Sequence, residues 1–122
     1  MSFGKSYSSN PEWVIDAIKY ADENNVLIVH AAGNDAEDLD VIKNENYPND
    51  QYLGKDEFSN NFITVGASTI NYNKNLIASF SNYGSENVDV FAPGYDVYSL
   101  LPENDYDSLS GTSMAAPAVS GV

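Results

Sequence analysis

With 18 acidic residues against 5 basic ones, this 122-residue chain has a formal net charge of −13, and a surface that negative repels phosphate backbones and anionic lipid, which argues against nucleic acid and membrane as partners. The absence of cysteine rules out disulfides and thiolate metal sites, and there is no run of about 18 apolar residues to cross a bilayer. Hydrophobic residues make up 43% of the chain, enough to bury the core of one domain.

The apolar triplet Met1–Phe3 reads as a first strand, and Met1–Asn10 carries no secretory signal pattern. Asn10 and Pro11 then start a helix as N-cap and first helical residue, with Glu12 a favourable charge in the first turn. Val14, Ala17, Ile18 and Ala21 recur at helical spacing, and Asn24 and Asn25 are left-handed stop residues. The run V-L-I-V-H-A-A from Val26 is continuous and rich in β-branched residues, as expected of a strand covered on both faces. Strand, helix and strand make a βαβ unit, which places ligand chemistry beyond the carboxyl ends of the strands. Those ends hold Gly4 and the tetrapeptide A-A-G-N at 31–34.

Residues 35–61 are polar, acidic and punctuated by Asn, Gly and Pro, and read as a long surface excursion. N-F-I-T-V-G-A-S at 61–68 is the next strand, and 75–84 reads as a short strand and turn. V-D-V-F-A-P-G at 88–94 is a strand running into a turn. Y-D-V-Y-S-L-L and D-Y-D-S-L-S-G form a hairpin that delivers the chain to Ser113. The fold class is therefore α/β with a parallel sheet. The chain opens on an apolar triplet and stops inside a helix, so part of a longer protein is expected.

Ser113 follows Gly111 and falls in the first turn of a helix, where unpaired backbone N–H groups face any nearby anion. Pro117 is expected to be tolerated so early in that helix. A nucleophilic serine also needs a base and a second oxyanion donor. Asn34 is a candidate for the donor, although Gly33-Asn34-Asp35 also suits an ordinary turn. Other serine and phosphate motifs fit worse. Ala115 stands where G-x-S-x-G needs glycine, Ala116 where S-x-x-K needs lysine, and no P-loop is present. Asp35, Glu37, Asp38 and Asp40 raise the question of calcium. However, Leu39 takes a ligand position and no central glycine follows, so a solvated acidic loop is the plainer reading. The tyrosines and Trp13 form no stripe and suit core or boundary packing.

The segment G-T-S-M-A-A-P-A-V-S-G closely resembles the serine signature of subtilisin-like serine proteases. The blocks M-S-F-G, H-A-A-G-N-D, I-T-V-G-A-S, S-F-S-N-Y-G and V-D-V-F-A-P-G resemble further blocks of that family in the same order. The resemblance implies the C-terminal half of a three-layer, parallel-sheet subtilisin-like catalytic domain, truncated at both ends. It also implies Ser113 as nucleophile and Asn34 as oxyanion donor. Ser2, Phe3 and Gly4 would pair with an extended peptide, and Ala31, Ala32 and Gly33 would form the opposite wall of a roomy apolar slot.

The resemblance further implies polypeptide substrates, an extracellular or periplasmic location and no cofactor, with calcium as an option. The family's D-T/S-G and H-G-T-H segments are absent. His30 is the only histidine; its strand position points it away from Ala31, toward a helix, as a hydrogen-bonded core residue and not a base. This chain alone is therefore expected to be inactive, to require the missing half of its domain, and to dimerise or swap elements through exposed strand edges. The alternative is a non-catalytic, subtilase-derived peptide-binding module.

Overall fold

The computed structural model describes residues 1–51 and 56–122. Its centre is a parallel sheet of β1 (Ile28–Ala31), β2 (Phe62–Ser68) and β3 (Val90–Pro93), in the order β1-β2-β3. Ile28 pairs with Phe62 and Val65 with Val90. These segments are apolar and β-branched; β1 and β2 are buried on both faces, whereas β3 buries only Ala92 fully.

Alternation along the strands divides the sheet into two faces. One carries Val29, Ala31, Val65, Ala67 and Ala92 against Ala115 and Ala116 of α2 (Thr112–Ser120), with Phe80 and Val119 at its margin. Its alanines let α2 lie close to the sheet. The other carries His30 and Thr64, and it is covered by residues from the 35–61 segment, including Leu39, Asn46, Asp50 and Glu57 around a cavity of about 30 Å³. That segment is thus not simply a surface excursion, although its residues 52–55 lie outside the described residues. Asp50 and Ser59 are buried within it.

Helix α1 (Pro11–Glu23) forms as expected, with Pro11 at its first position and Asn25 left-handed after its end at φ 55°. Three expectations for it fail, the first being Asn24, which is the C-cap at φ −99° and not left-handed. Asn10 makes no side-chain cap; its backbone carbonyl accepts from Trp13 N–H instead. Ala17 is exposed, and Ile18 is the one fully buried helical residue. The helix is tied to the chain before β2 through Asp22, whose Oδ1 accepts from Ser59 Oγ, Asn60 N–H and Asn61 Nδ2.

Met1–Phe3 is not a regular strand. It runs beside β1, where the Met1 carbonyl accepts from Ala31 N–H at 3.0 Å and the Met1 amine donates to the Val29 carbonyl. The next polar groups of this segment bond side chains instead of a ladder: Phe3 bonds His30, and Ser2 bonds Ser113. The expected strand within 75–84 is only a bridge, Ile77 to Ser68, because Ser81 Oγ takes the Ala67 N–H that a strand would have used. The hairpin is present as β4 (Val97–Leu101) and β5 (Asp105–Leu109), antiparallel, with Tyr98 stacked on Tyr106.

Candidate active site

β1 ends at Ala31, and the chain must turn at once. Gly33 makes the turn at φ 104°, a region that side chains disfavour, and a Cβ there would lie 2.5 Å from Asn82 Nδ2. The turn carries Asn34 to the tip of α2. There Asn34 Oδ1 accepts from Thr112 N–H at 2.9 Å and Thr112 Oγ1 at 3.0 Å. Thr112 Oγ1 also accepts from Gly33 N–H at 3.1 Å. With Oδ1 fixed in this way, the amide has one orientation, and Nδ2 is its remaining donor.

Asn34 and Ser113 line one open cleft of about 600 Å³, together with Ser2, Phe3, Gly4, Ala31 and Gly33. Seven of the eight residues singled out in the sequence are thereby brought together. Ala32 is not. Strand alternation turns it onto the His30 face, where it lines the buried cavity while its carbonyl accepts from Asn46 and Asn82. The expectation of a roomy apolar slot is also corrected, because Asn46 and the carboxylates of Asp35 and Glu37 line the same cleft.

Ser113 and Ser2 bond reciprocally. Ser113 Oγ donates to the Ser2 carbonyl at 3.0 Å, and Ser2 Oγ donates to the Ser113 carbonyl at 3.1 Å. The second bond corrects the reading of Pro117, which lies inside α2 and not at its start. A residue at 117 with an N–H would donate to the Ser113 carbonyl four residues back. Proline cannot, and Ser2 supplies the donor instead. The price of an interior proline is thus offset by a tie between the N-terminal segment and the serine.

His30 is 2% exposed, and its Nε2 bonds the Phe3 carbonyl at 3.0 Å, so that nitrogen carries the proton and donates. Burial pushes its pKa down to about 4; the Phe3 bond opposes this and the Met1 ammonium adds to it. It faces Phe62 and the 35–61 segment, not the expected helix. In the same cavity, burial and the charge of Glu57 push Asp50 up to about 7. Around pH 5 both groups are therefore neutral in the folded chain.

Their linkages oppose each other. The unfolded chain protonates His30 below about 6.5 and the folded chain only below about 4, so this contribution is lost as pH falls through that window. The folded chain keeps a proton on Asp50 up to about 7 that the unfolded chain releases near 3.8, so this contribution is lost as pH rises. Asp50→Asn removes the second slope. The stability of the variant minus that of the parent is expected to rise by about 2–3 kcal/mol between pH 4 and 7, discounted for the solvent that reaches Asp50. Urea unfolding at several pH values checks this; a difference independent of pH would contradict it.

The acidic loop is built into the fold. Asp40 accepts from the backbone N–H groups of Ser85, Glu86 and Asn87. Burial acts to raise its pKa, but bonds from Ser85 and Asn87 prevail and hold the carboxyl well below its ordinary range. Sequence reasoning missed Asn46 and Asn82, both of which bond the Ala32 carbonyl from segments distant in the chain. Asn82 sits in the quoted S-F-S-N-Y-G block, which was the one available signal.

The sequence profile of the subtilase family matches residues 1–122. The chain is 38% identical over 106 residues to the major intracellular serine protease of Bacillus subtilis (strain 168), covering 87% of this chain and 30% of that protein. It is 42% identical over 106 residues to thermitase of Thermoactinomyces vulgaris, covering 87% and 32%. Among solved structures, a cold adapted subtilisin-like serine proteinase matches with a TM-score of 0.74 at 33% identity, over 99% of this chain and 37% of that one. The prenylagaramide maturation protease PagA matches with a TM-score of 0.75 at 29% identity, over 99% and 40%. The chain thus spans about a third of the length of these curated relatives.

Proposed function

This chain belongs to the subtilase family, and from that premise we propose that it carries the nucleophile and the oxyanion site of a serine endopeptidase. An extended peptide lies along Ser2–Gly4 on one side and residues 31–33 on the other. Ser113 Oγ attacks the scissile carbonyl carbon, and its proton passes to a histidine held by an aspartate in a segment outside this chain. The carbonyl oxygen takes up the negative charge between Asn34 Nδ2 and the Ser113 N–H. Collapse releases the amine, protonated by the same histidine, and leaves an acyl-enzyme that water then hydrolyses.

The observation that carries this reading is the Thr112 clamp on Asn34 Oδ1, which leaves Nδ2 as a fixed donor in the cleft that also holds Ser113. Fixed donors cost no reorganisation as charge develops. In the active protease, Asn34→Ala is expected to lower kcat by about 10²–10³ with little change in KM, a magnitude measured on a subtilisin. Peptide hydrolysis kinetics test it, and an unchanged kcat removes Asn34 from the oxyanion site.

The partner that completes the catalytic group is the remainder of the same catalytic domain. An apolar groove between Met1, Leu27 and Val29 on one side and Val119 and Val122 on the other supports this, since such surface favours being covered. Alone, the chain is expected to self-associate, which sedimentation reads directly. We further propose catalysis without a cofactor, with calcium confined to stability, and action outside the cell or in the periplasm. Activity after chelation and fractionation of producing cells test these two points. The relative named as intracellular indicates that the family works in more than one place.

A further inference from the structure

The residue that meets the serine is itself held from behind. On one side of Ser2 the Met1 carbonyl accepts from Ala31 N–H, and on the other the Phe3 carbonyl accepts from His30 Nε2. His30 is buried, so this support comes from inside the fold and gives the Ser2 hydroxyl a fixed origin. The hydroxyl donates to the Ser113 carbonyl at 3.1 Å. Across the contact, Ala115 and Ala116 seat α2 on the sheet. Two supported elements thus meet at Ser2 and Ser113.

Pro117 decides what that contact does. In a regular helix the N–H four residues on holds each carbonyl along the axis. Pro117 has no N–H to give the Ser113 carbonyl, and its ring crowds that same oxygen. The helix therefore leaves the direction of this peptide plane unset, and the Ser2 hydroxyl sets it. The carbonyl carbon and Cβ of Ser113 leave one Cα. Fixing the plane limits ψ and hence the rotamers open to Oγ. The other bond of the pair, from Ser113 Oγ to the Ser2 carbonyl, involves no side-chain atom of Ser2. Loss of the Ser2 hydroxyl thus removes one bond and leaves its partner in place.

Building on the protease reading above, we propose that Ser2 is a positioning residue for the nucleophile: its hydroxyl replaces the helical donor that Pro117 withholds and aims Ser113 Oγ. The support runs from buried His30 through the Phe3 carbonyl to Ser2, and from there to the serine.

The test is a cycle of substitutions in the full-length protein that carries this chain, read by peptide hydrolysis. Ser2→Ala is expected to lower kcat by about tenfold and to change KM by less than about twofold, because a misaimed nucleophile binds substrate as before. Ser2→Thr keeps the hydroxyl and is expected to recover most of that loss. Pro117→Ala returns an N–H to the helix, so in that background Ser2→Ala is expected to lower kcat by less than about twofold. A hydroxyl that merely joined two segments would lower the unfolding midpoint and leave kcat alone. An unchanged kcat for Ser2→Ala, a loss confined to KM, or the same loss of kcat with and without Pro117 overturns the proposal.

Urea unfolding of the same four proteins of the cycle separates the two levels. If nothing is hydrolysed, but Ser2→Ala lowers the unfolding midpoint less in the Pro117→Ala background, the hydroxyl does replace the helical donor and the protease reading fails. If peptides are hydrolysed while the two substitutions act independently on kcat, the protease reading stands and Ser2 has no part in aiming the serine.

Discussion

A fluorophosphonate probe is expected to leave Ser113 of the isolated chain almost unlabelled, at a rate about 10⁶-fold below that of the same serine beside a catalytic histidine and aspartate. A serine hydroxyl attacks at neutral pH only when a base takes its proton. Here the hydroxyl donates to the Ser2 carbonyl, which cannot serve as one. His30, the only histidine, is committed to the Phe3 carbonyl, and burial opposes its protonation. The donors of the proposed oxyanion site would by themselves stabilise a charge that has no route to form. Intact-mass measurement reads the labelling. Rapid stoichiometric modification of the isolated chain would mean that a base has been overlooked. No labelling in the full-length protein would favour the non-catalytic peptide-binding module instead.

The central sheet and the hairpin were legible in the sequence because their signals are local. The apolar, β-branched runs within 26–32, 61–68 and 88–94 mark the three parallel strands, of which β2 is the most fully buried. Ser113 and Asn34 were singled out through the G-T-S-M-A-A-P-A-V-S-G and H-A-A-G-N-D blocks; glycine positions alone left Gly33-Asn34-Asp35 readable as an ordinary turn, and only the fold puts the two residues on one cleft. What escaped the sequence depends on distant partners. Nothing near Asn46 announces that its amide fills the space between Gly4 and Gly33. Nothing near Pro117 announces that Ser2 bonds the carbonyl it leaves free. The slot was read as apolar because Ala31, Ala32 and Gly33 are small. Small wall residues, however, also admit a side chain from elsewhere, and here they admit a polar one.

Asn82→Ala is expected to cost about 2–4 kcal/mol and to loosen the oxyanion site along with the fold. Asn82 is 1% exposed, and its side chain makes three bonds. Nδ2 donates to the Ala32 carbonyl at 2.9 Å, while Oδ1 accepts from Asp35 N–H at 2.9 Å and Glu37 N–H at 3.1 Å. These donors and the acceptor belong to the turn that carries Asn34. The Ala32 carbonyl keeps a second donor in Asn46 Nδ2, so its loss is partial. The Asp35 and Glu37 N–H groups have no such substitute and would need water or a moved chain. Either outcome shifts the turn, and Asn34, the proposed oxyanion donor, then sits on a loop that is no longer fixed. Urea unfolding is expected to show the lower stability. In the active protease, kcat is expected to fall more than tenfold at temperatures where the variant is still folded, since a displacement of about 1 Å in a positioned group costs about 10²-fold. A stability loss under about 1 kcal/mol with kcat retained would mean that Thr112 and the backbone bonds from Ala36 to Phe80 and from Asn82 to Gly33 suffice to hold the Asn34 turn.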